Sequence, residues 1–66
     1  MYKEDIIDIM SEAIAKSNED LMRYQGMNDK EISEQLNWNR PALDYANEMV
    51  LDALIANGVV SKDTVE

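Results

Sequence analysis

The helical period of this chain is interrupted at only three places: Gly26, the run Asn37-Trp38-Asn39-Arg40-Pro41, and Asn57-Gly58. Elsewhere apolar residues recur at steps of three and four, the spacing of one helical face. From the N-terminus the series is Tyr2, Ile6, Ile9, Met10, Ala13, Ile14, Leu21 and Tyr24, which predicts a long first helix within residues 1–26. Ser17-Asn18-Glu19-Asp20 has the spacing of a second helix start, but it also fits the exposed side of one helix, straight or kinked there, and we read it so. Gly26 is expected to close the helix as a C′ residue with left-handed backbone.

Asn28 with Glu31 three residues later has the form of a capping box, so a second helix should open at Asp29. The Asn37-Trp38-Asn39 run predicts its end near Leu36. Ile32 and Leu36 are its inward pair, Met27 is a staple against Ile32, and Trp38 is expected to plug the angle to the next helix. Pro41 prefers the first turn of a helix, which sets a third helix starting at Asn39 or Arg40. Leu43, Ala46, Met49, Val50, Ala53 and Leu54 carry that helix to the stop at Asn57-Gly58. Val59-Val60 and the residues after it form a short extended tail, 58–66. The expected fold is therefore all-α: one domain with a long N-terminal helix (1–26), a helix-turn-helix core (28–57) and a tail.

Composition narrows the chemistry. The chain of 66 residues has no Cys and no His. That removes thiol and imidazole chemistry, zinc sites and disulfide staples. Adjacent acids such as Glu19 and Asp20 diverge on a helix, and no phosphate loop, calcium loop or nucleophile and base pattern is present. Neither an enzyme nor a cofactor or metal site is expected. No apolar run approaches the length of a membrane span and the first residues lack signal-peptide character, so the expected compartment is the cytoplasm. A domain this small buries little surface, which makes a homodimer a reasonable source of added stability. The far end of the long first helix, with Leu21, Met22 and Tyr24, is the candidate oligomer contact.

Charge is the strongest functional signal. Asp and Glu number 14 against 6 Lys and Arg, a formal net charge of −8. The acids form rows at four-residue steps: Glu4, Asp8 and Glu12 on the first helix, Asp44, Glu48 and Asp52 on the last. This acidic side suits a basic surface on a larger protein, such as a nucleic-acid channel. Carboxylates four residues apart rise about 6 Å along a helix, whereas each DNA strand carries one charge per roughly 3.4 Å. One row is too sparse to imitate a strand.

The segment Asp29 to Ala46 resembles the helix-turn-helix family. Glu31-Ile32 stands for the acidic and aliphatic pair, Ser33 for the small residue at the crossing, and Leu36 for the end of the first helix. Asn37 takes the turn position where the family most often has Gly. Trp38, Asn39 and Leu43 follow as apolar residue, cap and aliphatic anchor. Leu54-Ile55-Ala56-Asn57-Gly58-Val59-Val60 is similar to the end of a winged recognition helix, in a truncated form without the wing hairpin. The resemblance implies DNA contacts from Asn39, Arg40, Tyr45 and Asn47, with Arg23, Lys30 and Lys62 on phosphates, in a regulator or a packaging or recombination factor. The acidity argues against a phosphate-lined groove. Short, acidic, Cys-free helical proteins of phages and mobile elements that inhibit host machinery are similar in size and composition. The favoured expectation is thus an acidic interaction module, with DNA binding as the alternative.

Overall fold

In a computed structural model that describes residues 1–65, the chain is a hairpin of two antiparallel α-helices. Helix α1 spans Lys3–Tyr24 and α2 spans Asp29–Ala56. A short 3-10 turn, Lys62–Thr64, follows. The molecule is 43 Å long and 16 Å across, which matches the roughly 42 Å rise of a 28-residue helix.

The helix ends follow the local chemistry. Asn28 accepts from the Glu31 N–H at 2.9 Å, and the Asn28 N–H donates to the Glu31 carboxylate at 3.5 Å, a complete capping box. Both helices close with a Schellman motif. At the first, Met27 N–H donates to Met22 and Gly26 N–H to Arg23; at the second, Val59 N–H donates to Leu54 and Gly58 N–H to Ile55. The glycines that permit this have φ of 86° and 74°. Helix α1 runs unbroken through Ser17-Asn18.

The expected three-helix arrangement is not what forms. Residues 37–41 lie inside α2, so there is no turn after Leu36, no third helix starting at Asn39 or Arg40, and no helix-turn-helix core. Trp38 fills no interhelical angle and is 83% exposed. Ser33, expected at a crossing, is also exposed. The tail is not wholly extended, because Ser61 caps the 3-10 turn by accepting from the Asp63 N–H.

The reason lies in the phase of the seam between the helices. On α2 the buried and half-buried positions are Ile32, Leu36, Arg40, Leu43, Asp44, Asn47, Leu51, Leu54 and Ile55, and one per turn of these, Ile32, Leu36, Arg40, Leu43, Asn47, Leu51 and Leu54, follow one another at steps of four, four, three, four, four and three. The pattern passes through Pro41 without a slip, and any inserted turn would carry Leu43 and Leu51 out of register with Ile32. Such an eleven-residue rhythm stays close to the natural helical period, so the pair can run nearly straight. Pro41 removes the hydrogen bond to the Asn37 carbonyl, a loss of about 3 kcal/mol in a helix interior. Both Asn37 and Pro41 face solvent, where water can take the freed carbonyl. Continuity lets α2 cover the full length of α1.

Candidate functional site

On α1 the buried and half-buried positions are Lys3, Ile6, Ile7, Met10, Ser11, Ala15, Asn18, Glu19 and Met22, and the seam runs through Lys3, Ile7, Ser11, Ala15, Asn18 and Met22. The residue after each seam position turns to one flank of the hairpin, and the residue before it turns to the other. In an antiparallel pair the two helices' following residues share a flank. Glu4, Asp8 and Glu12 follow Lys3, Ile7 and Ser11; Asp44, Glu48 and Asp52 follow Leu43, Asn47 and Leu51. Both acid rows therefore meet on one flank of the molecule. There Glu4, Asp8, Asp44 and Glu48 line a groove of about 390 Å³, with Ile7 and Tyr45 completing its walls. Glu12 and Asp52 lie on the same flank outside the groove lining.

Cations hold part of this acidity. Arg40 emerges from the seam and donates from Nε to Asp44 at 2.9 Å and from Nη2 to Asp8 at 3.1 Å. Lys3 Nζ lies 2.9 Å from Asp52, and the hydrogen bond to Asp52 raises the lysine's pKa. No ion pair holds Glu4 or Glu48 among the described residues. Beneath the groove is a buried polar pair that spacing alone did not single out: Asn47 Nδ2 donates to Ser11 Oγ at 2.9 Å. Ser11 and Asn47 are 0% and 4% exposed. Hydrogen-bonding influence of the nearby Ser11 hydroxyl, followed by the Arg40 guanidinium, holds the Asp44 carboxyl below its ordinary value. The chain Asn47, Ser11, Asp44, Arg40, Asp8 thus links the floor of the seam to the groove, and among the described residues no buried side-chain polar atom lacks a partner.

The residues expected to touch DNA are not brought to one face. Asn39 is exposed on the flank opposite the groove, Arg40 is engaged by two acids, Tyr45 rims the groove, and Asn47 is buried. Nor do the proposed phosphate contacts cluster. Arg23 pairs with Glu19 and Asp29 near the interhelical loop, beside Lys30, while Lys62 follows α2 at the other end of the rod. Of the expected oligomer contact, Leu21 and Tyr24 are exposed and Met22 is half-buried in the seam.

Among the described residues no group of side chains is arranged to hold a metal ion, and no helix is long and apolar enough to cross a membrane. Comparison with family models, with curated proteins and with solved structures found no match, so the groove's own geometry must carry the functional reading.

Proposed function

We propose that the chain is a small acidic interaction module that docks its groove onto a basic surface of a larger protein, of the kind that lines a nucleic-acid channel. The observation that carries this reading is the meeting of two acid rows in one groove walled by Ile7 and Tyr45, where no ion pair among the described residues holds Glu4 or Glu48. A lysine or arginine side chain entering there replaces water around those carboxylates, lays its methylene stem on Ile7 and meets the face of Tyr45. Arg40 shows that a guanidinium already sits well between Asp8 and Asp44. Inhibition of the larger protein by occupancy of such a surface is the simplest consequence, and it requires no chemistry from the module itself.

Capture from a nuclease-treated extract of the source cells, comparing the wild-type chain with Glu4→Gln/Glu48→Gln, tests the reading. The expected result is a basic protein retained by the wild type, eluted by salt and lost with the double variant. Retention by both chains alike would overturn it. DNA binding, the alternative, is tested by mobility shift at low salt with pooled genomic DNA, where micromolar protein is expected to leave the DNA unshifted.

A further inference from the structure

The flank opposite the groove has the contrary character. Ile6 and Met10, both half-buried, and the exposed Ile14 precede seam positions on α1, and Ala42, Ala46, Val50 and Ala53 precede them on α2, so seven apolar side chains share the half of the hairpin away from the loop. Toward the loop the α2 contribution changes to Asn39, Gln35 and Glu31. We propose that this apolar flank is the interface with a second copy of the chain, giving a four-helix bundle with both acidic grooves facing outward.

Three observations select a second copy as the occupant. The first is area. A compact chain of 7.6 kDa should expose about 4,300 Å², whereas this hairpin exposes 4995 Å². The excess over the whole chain, roughly 700 Å², is of the order of the ~800 Å² that each partner contributes to a standard interface, and on this flank Ile14 and Val50 are 39% and 48% exposed. The second is shape. Within the patch α1 presents large side chains and α2 presents mostly alanine, so the surface is complementary to itself when α1 of one copy lies over α2 of the other. A two-fold axis along the hairpin's length produces that pairing and keeps every residue at its own height, which places Met10 of one copy beside the Ala42 to Ala46 turn of the other. An axis across the hairpin would stack large on large and leave the alanines facing a gap. The third is charge. Each copy carries −8, and this flank is the side on which the two acid rows point away from the partner.

The proposal is tested by sedimentation equilibrium across micromolar concentrations, with disulfide trapping as an independent measurement. The wild type is expected to approach twice the 7.6 kDa chain mass. Ala46→Glu should weaken association at least tenfold, and Glu12→Gln, on the groove flank, should leave it unchanged or tighter. Because the chain has no native Cys, Met10→Cys mixed with Ala46→Cys and refolded together should give a mixed disulfide dimer, with little cross-linking of either variant alone. A wild type that stays helical and monomeric at hundreds of micromolar would overturn the proposal, as would Ala46→Glu associating like the wild type. Cross-linking of Met10→Cys alone would overturn the pairing of α1 with α2. If Ala46→Glu loses its helicity, the mixed disulfide decides the question by itself.

Discussion

Asn47 and Ser11 occupy seam positions that the pattern otherwise gives to apolar side chains, and their mutual hydrogen bond makes this tolerable. Removing one partner leaves the other buried without its bond. Asn47→Ala is therefore expected to lower stability by about 1 to 3 kcal/mol, read as a drop in the urea midpoint at unchanged slope. Replacing both at once, Ser11→Ala with Asn47→Leu, should recover much of the loss, because an apolar pair has no unmet bond; what it gives up is the fixed register of the two helices. Asp44 extends the same network to solvent, and its effect on pH dependence has a definite sign. Its carboxyl is held below the ordinary value in the folded chain, so the unfolded chain takes up the proton first as pH falls. The stabilisation is fully present above the ordinary carboxylate value and is lost as pH falls from there through the lowered value of the folded chain. Asp44→Asn should thus flatten the acid limb of a plot of stability against pH, and an acid limb identical to that of the wild type would refute the assignment.

At the scale of the helix, the decisive residue is Pro41. If it opened a third helix it would favour the fold, whereas inside α2 it opposes it. Pro41→Ala is expected to stabilise the hairpin by about 2 kcal/mol, the helix-interior penalty less the unfolded-state restriction that proline supplies. A neutral or destabilising result in urea titration would speak for a break at that point. The glycine caps behave oppositely: with open space around both Cβ positions, Gly26→Ala should lose about 1 kcal/mol through backbone conformation alone. These two tests also mark what could be read from the sequence. Gly26, the Asn28 and Glu31 box, and Gly58 act through bonds to residues a few positions away, so their outcome was legible. The fate of Asn37-Trp38-Asn39-Pro41 was not, since local preference there is overruled by the register of Leu43, Asn47 and Leu51 against a distant helix. The signal that would have found the single helix is the unbroken phase from Ile32 to Leu54. The acid rows were legible as rows, but their meeting in one groove needed the antiparallel pairing of the two helices. Asn47 looked available for DNA because a polar residue in a seam resembles one on a surface until its partner, Ser11, is known.

For the molecule as a whole, the two flanks imply opposite responses to salt. Docking of the groove onto a basic partner is an attraction between unlike charges at the surface, and it weakens as the screening length shrinks from about 10 Å at 0.1 M to about 3 Å at 1 M. Self-association through Ile6, Met10, Ala46 and Val50 joins two chains of like charge, −8 each, across an apolar surface. Screening lowers their repulsion, and salts that are excluded from protein surfaces strengthen apolar contact further. Dimer dissociation should therefore tighten between 0.02 and 0.5 M salt, on the order of severalfold by these arguments, while capture of the basic partner falls over the same range. Glu4→Gln/Glu48→Gln separates the two effects, because it removes charge from the groove and leaves the apolar flank untouched: partner binding should drop at low salt and self-association should rise. A titration in which both equilibria weaken together with salt would mean that the acidic and apolar flanks do not act as separate surfaces.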